Sequence, residues 1–119
     1  MNRDKIIYWI ATGLMSALFL FSASMYIFNN AEIQGAFTAL GFPIWVIYPL
    51  AAAKILAIVA IITRRSKLLN EWAYAGLFFD SLLAMGAHLS VGDGNAGGAI
   101  MAIVLIVVSR FMQGRAFGE

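Results

Sequence analysis

The chain of 119 residues has no cysteine, one histidine, two prolines and only 12% charged residues, and each scarcity excludes something. Without cysteine there is no disulfide, thiolate zinc site, iron–sulfur cluster or dithiol redox chemistry. A single histidine rules out a bis-histidine haem or a histidine-rich metal centre within one protomer, so no metal is expected. The formal charge of +2 is too small for a nucleic-acid surface, and the basic residues read as loop residues. No phosphate-cradling glycine loop and no nucleophile motif occurs, so nothing here marks the chain as an enzyme on its own.

What is present in excess is apolar surface. Hydrophobic residues make up 62% of the chain, against roughly half apolar and about a quarter charged in soluble domains. This composition predicts an all-α integral membrane protein, a single domain over residues 1–119. A span needs about 20 apolar residues, and four runs qualify: 6–28, 42–62, 72–89 and the shorter 97–112. An up-down-up-down four-helix bundle follows. Although MNRDK followed by an apolar run ending near Ser22-Ala23-Ser24 resembles a signal peptide, the run continues to Phe28 and is read as a span. Residues 29–41 are mildly amphipathic and fit a short helix lying in the interface.

Lysine and arginine are enriched in cytoplasmic loops. With the N-terminus inside, Arg3, Lys5, Arg64, Arg65, Lys67, Arg110 and Arg115 all face the cytoplasm, seven of the eight basic residues. Both termini are therefore expected in the cytoplasm, in a bacterial inner membrane. Tyr8 and Trp9 are expected to anchor the first span at that interface, and the small residues Gly13 and Ala17, with Thr12 and Ser16 alongside, to form its packing face. Gly94 and Gly98 suit close packing at the start of the fourth helix.

The eighth basic residue, Lys54, lies within the second span. An interior proline, Pro49, precedes it and should kink that helix, leaving the Trp45 carbonyl without its donor and opening a small polar cavity near Tyr48. At about 1.5 Å per residue, Lys54 lies roughly 15 Å from Arg64, and Asp80 roughly 13 Å from Glu71 on the antiparallel third helix. Both then sit near mid-membrane at one level. A lone charge there is expensive, so a Lys54 to Asp80 ion pair is expected. Such a pair either serves a function or only fixes helix register.

On the third helix, an arc of about 160° collects Tyr74, Leu77, Asp80, Ser81, Ala84 and His88 and should face the bundle, with Phe78, Phe79 and Leu82 outward. Asn70 is expected as the N-cap. Glu71 then either sits in the first turn to satisfy the helix dipole or pairs with Arg64, Arg65 or Lys67 at a cytoplasmic rim. His88 falls near the outer end, as a packing residue or a proton carrier. Lys54, Asp80, Tyr74, His88, Tyr48 and Ser81 together make a candidate ligand or partner pocket.

With YPLAAAKILAI carrying Pro49 and Lys54, a basic turn, EWAYAG at Glu71 to Gly76, and the late His88, the chain resembles the DoxX-like family of small four-span bacterial membrane proteins. The resemblance covers about Ile6 to Phe111. It implies an accessory subunit associated with quinol oxidase or thiosulfate:quinone oxidoreductase, or with thiol or oxidant defence. A distant animal branch of the family includes an assembly chaperone for nicotinic receptors. Lacking cysteine, this chain would need a bound quinone, an external donor or a partner subunit for any redox role. The expected ligands are therefore a quinone or lipid, none covalently bound, and the expected partners membrane lipids, a second copy or another membrane protein. A small proton-coupled transporter working as a dimer through Asp80 is the alternative, and a membrane assembly chaperone is the second. An enzyme using Lys54, Asp80 and His88 for acid–base work on a lipid-soluble substrate is a third.

Overall fold

In the computed structural model, which describes residues 2–118, four long apolar helices and one short helix account for the chain. They are α1 Arg3–Phe28, α2 Asn30–Ala39, α3 Ile47–Thr63, α4 Lys67–Val91 and α5 Gly97–Phe117. A 3₁₀ turn over Ile44–Val46 leads into α3, and the two together give a 20-residue apolar segment. Its companions are 26, 25 and 21 residues long, each enough to cross a bilayer. The longest dimension, 44 Å, matches a bilayer of about 40–45 Å with its headgroup layers.

The helices run antiparallel in sequence and form a square in which α1 packs on α3 and α5, and α4 on the same two. The core between them is built from Met15 and Phe19 of α1, Ile58 and Ile61 of α3, Tyr74 and Leu77 of α4, and Ala102 and Ile106 of α5. The outward faces carry Leu14, Phe21, Leu56, Trp72, Phe79, Leu83 and Phe111, all more than half exposed, as a lipid-facing surface requires. Outward placement of Phe79 and Leu82 agrees with the sequence periodicity, but Phe78, expected outward with them, is partly buried against the core. The short helix expected within residues 29–41 is present as α2, pinned by the Phe37 ring edge-on to Tyr26 at 5.4 Å and tilted against Phe42 at 5.8 Å.

Several local expectations are corrected. The α-helix of the second span begins only at Ile47, so Pro49 sits in its first turn, where a missing N–H is harmless. The break expected at Pro49 is taken up before it, by the 3₁₀ turn, and Pro43 caps that turn in extended conformation. The N-cap of α4 is Ser66, whose Oγ accepts from the Leu69 amide at 3.2 Å; the helix starts a turn before Asn70, which is buried. On α1 the buried stripe is Tyr8, Ala11, Thr12, Met15, Ser16, Phe19 and Ala23, and Gly13 and Ala17 face outward. Gly94 and Gly98 are also exposed. Tyr8 is fully buried, leaving Trp9 to meet the interface. The fourth span, expected over 97–112, continues as helix to Phe117, because Ser109, Met112 and Gln113 continue the buried stripe of Ala102 and Ile106.

One end of the bundle gathers the basic residues. Arg110 grips Glu71 through two contacts, Nε to Oε1 at 2.7 Å and the terminal nitrogen to Oε2 at 3.2 Å. Arg115 lies 3.6 Å from Asp4, and the guanidinium of Arg64 stacks on Phe117 at 3.8 Å. Arg64 caps α3 in the left-handed region at φ 53°, the only non-glycine residue with positive φ among those described.

Candidate functional site

Lys54 and Asp80 lie near the middles of α3 and α4, on neighbouring helices, and their charged atoms are 3.9 Å apart. That is the outer limit of an ion-pair contact. The ammonium is held more closely from α1: it donates to Ser22 Oγ at 2.8 Å and lies 4.0 Å above the centre of the Tyr26 ring. A buried lysine needs such partners, because three N–H donors in an apolar interior otherwise go unsatisfied. Lys54 is only 6% exposed, whereas the Asp80 side chain is 26% exposed and makes no side-chain hydrogen bond among the described residues. Lysine is thus fixed to α1 and α3, and the carboxylate of α4 is left facing open space.

That space consists of two cavities. The larger, of about 640 Å³, is a groove between α3 and α4. Lys54 and Asp80 stand at its deep end, Ala57, Leu77 and Trp72 line its length, and Arg65 and Ser66 mark its mouth at the basic end. The smaller, of about 280 Å³, lies beneath α2 and is walled by Tyr26, Phe37, Phe42, Leu83, Asp80 and His88. Among the described residues only Leu50 and Asp80 line both cavities. Asp80 therefore stands in the partition between the space beneath α2 and the groove that runs toward the basic end.

The other residues of the sequence-derived pocket are dispersed. Tyr74 is buried on the α1 and α5 side, its hydroxyl 2.7 Å from Ser109 Oγ, which is in turn 2.7 Å from Thr12 Oγ1. Ser81 is buried and lines neither cavity. Tyr48 is 57% exposed and also lines neither, since at about 100° per residue it falls roughly 120° round α3 from Lys54. His88 reaches only the smaller cavity and bonds through Nδ1 to Asp93 Oδ2 at 2.7 Å in the turn after α4. That bond, reinforced by the Asn95 amide, holds the Asp93 carboxyl below the usual carboxylate range.

At the rim, Glu71 pairs across to Arg110 on α5 instead of with Arg64, Arg65 or Lys67. Sequence reasoning missed a polar chain beneath it. Arg64 donates to Gln113 Oε1 at 3.1 Å, and Gln113 Nε2 donates to Asn70 Oδ1 at 3.0 Å. Because a guanidinium can only donate, the orientation of the first amide is fixed, and through it that of the second. Asn70 Nδ2 is left as a buried donor with no partner. The signal that could have found this chain was the spacing of Ser109 and Gln113, four apart on one face of an otherwise apolar helix. Ser22 and Tyr26 have the same spacing on α1. Among the described residues no cluster of metal-ligating side chains occurs.

A family model for the DoxX-like family matches residues 10–112, a stretch that runs from the first span into the last. Neither the curated proteins nor the solved structures give a significant match. The matched stretch contains Lys54, Asp80, both cavities and most of the polar chain at the basic end. The protein, a small integral membrane protein with four candidate spans, belongs to the DoxX-like family.

Proposed function

We propose that the protein is a binding scaffold, an accessory subunit of membrane redox or oxidant-defence chemistry, whose groove between α3 and α4 holds a quinone or a similar lipid-like ligand. The observation that carries this reading is the groove itself: about 640 Å³, apolar along its length, open between two spans, with Lys54 and Asp80 at the deep end. Such a shape admits a flat apolar ring from the bilayer and offers its polar edge a donor and an acceptor. The family's association with quinone-linked enzymes supports the same choice of ligand. The basic end faces the cytoplasm in this reading, placing both termini on the cytoplasmic side of a bacterial inner membrane, as the distribution of arginine and lysine favours. A second copy or a redox subunit would be its partner.

Trp72 lines the groove and supplies the test. In a Trp9→Phe, Trp45→Phe background, a short-tailed ubiquinone analogue should quench Trp72 saturably, and Lys54→Met should weaken binding at least about tenfold, or about 1.4 kcal/mol. Equal binding by Lys54→Met would remove the proposal.

The second reading, a proton-coupled transporter working as a dimer, is favoured by one feature, the position of Asp80 in the wall between two cavities. A carboxylate reachable from both ends can exchange a proton for a cationic substrate. Substrate-induced proton release from detergent-solubilised protein, abolished in Asp80→Asn, would establish it over the scaffold reading.

A further inference from the structure

The turn joining α3 to α4 forms a cavity of about 270 Å³ lined by Arg64, Arg65, Ser66, Lys67 and Asn70. Three features converge on it. It lies at the N-terminus of a 25-residue helix, where the first amides have no intrahelical acceptor and the helix dipole favours an anion. Three cationic side chains wall it, and among the described residues no carboxylate does. Independently of both, Asn70 is 97% buried by its 3% exposure, lines the cavity, and carries the one amide donor in the polar chain that has no partner. Since Gln113 holds Asn70 Oδ1, Nδ2 is turned away from that bond, and the side chain that bears it lines the turn cavity. A buried donor without a partner is destabilising, and an acceptor placed in the turn removes that cost.

We propose that this turn binds a phosphate group, carried by the headgroup of an anionic phospholipid. A tetrahedral dianion or phosphodiester supplies several acceptor oxygens to match the amides, Asn70 Nδ2 and the arginine donors. The lipid source follows from continuity: Arg65 and Ser66 line both this cavity and the mouth of the α3–α4 groove, so a headgroup seated here has an apolar channel for its chain. The phosphate site stands on the turn alone. Placing the chain in the groove rests on reading that groove as an amphiphile site.

The test uses the full chain in a maltoside detergent free of phosphate. Dioleoylphosphatidylglycerol should raise Tm and shift the Asn70 side-chain amide resonance, and dioleoylglycerol, which has the chains and no phosphate, should do neither. Arg65→Gln/Lys67→Gln should raise the half-saturating lipid concentration at least tenfold, whereas Arg3→Gln/Arg115→Gln, which removes equal charge at the same end, should leave it within twofold. Inorganic phosphate acting at the same concentration as the lipid would support the site and identify free phosphate as its source. An equal response to dioleoylglycerol, or equal losses in the two double variants, would overturn the proposal. Trp72 quenching by the quinone analogue separates the two readings. If the quinone signal fails while the Asn70 shift remains, the groove reading falls and the phosphate site stands; the converse result leaves the groove and removes the site.

Discussion

Replacing Lys54 separates three interactions made by one ammonium, and their relative sizes are the most direct test of how the mid-membrane site is held. The hydrogen bond to Ser22 at 2.8 Å is charge-assisted and should contribute about 1.5–3 kcal/mol. The Tyr26 ring at 4.0 Å should contribute up to about 2 kcal/mol in a desolvated setting. For Asp80 at 3.9 Å the gross attraction is about 4 kcal/mol at an effective dielectric of about 20. Most of that is offset by desolvating both groups, since a contact at this distance lacks a hydrogen bond to make up the difference. About 1 kcal/mol net should remain.

Double-mutant cycles measure these terms by difference. Unfolding in mixed micelles should show Asp80→Asn costing about 1–2 kcal/mol and Lys54→Met about 3–5 kcal/mol, the latter because a carboxylate then stands without a counter-ion. The coupling of Lys54 to Tyr26, from Tyr26→Leu, should equal or exceed its coupling to Asp80. A Lys54–Asp80 coupling above about 3 kcal/mol, with the Tyr26 coupling near zero, would refute the reasoning, because the dominant partner would then lie on α4 and the carboxylate would not face the cavities.

Further outcomes follow from the polar interior and the turn after α4. The buried Tyr8 hydroxyl has no hydrogen-bond partner among the described residues, so Tyr8→Phe should leave stability unchanged or raise it, whereas Tyr74→Phe, which loses the bond to Ser109, should cost about 1 kcal/mol in the same unfolding assay. Gln113→Leu should cost about 1–3 kcal/mol, because it strands the Asn70 carbonyl oxygen and removes an acceptor from Arg64. Both Arg64→Ala and Arg64→Gly lose the stack on Phe117, but only alanine keeps the strain of φ 53°, so the glycine variant should be more stable by about 1 kcal/mol. Asp93 titrates below its unfolded value in the fold, so its contribution is present above the unfolded value and is lost as pH falls through the folded one. His88→Ala should move the Asp93 carboxyl resonance midpoint upward by NMR, though not the whole way, since the Asn95 amide still donates.

The spans were legible because length and apolarity are set by the bilayer, and the level of Lys54 against Asp80 was legible because helix rise is fixed. What the sequence concealed depended on where helices begin and on which helices are neighbours. Pro49 looked interior because nothing in IWVIYPL marks the change from 3₁₀ to α-helix. Tyr74 and Asp80 share a broad arc of α4, yet a helix in a square bundle meets different neighbours on the two sides of that arc, so Tyr74 turns to Ser109 and Asp80 to Lys54. Glu71 had three nearby cations in the preceding turn and took a fourth, Arg110, that reaches it only because α5 continues past the apolar run. Ser22 and Tyr26 hold Lys54 but look in sequence like ordinary residues of a span.

The division of labour between Lys54 and Asp80 bears on scaffold against transporter. Because Ser22 and Tyr26 tie the ammonium to α1, the α1–α3 pair is locked at mid-membrane, and the polar contact to α4 there is the long one at 3.9 Å. Any opening of the partition formed by Leu50 and Asp80 must therefore move α4 against α3. A transporter needs that motion, and a scaffold needs the partition to stay shut. The absence of cysteine makes the question accessible, because an introduced thiol is the only one in the chain. Cysteine at Ala84 probes the cavity beneath α2, and cysteine at Ala57 probes the groove. With a permanently charged thiol reagent supplied from the α2 end alone, Ala84→Cys should react and Ala57→Cys should not. Labelling of both would show that the partition opens, and Asp80 would then be a group that exchanges between two aqueous faces instead of the end wall of a ligand groove.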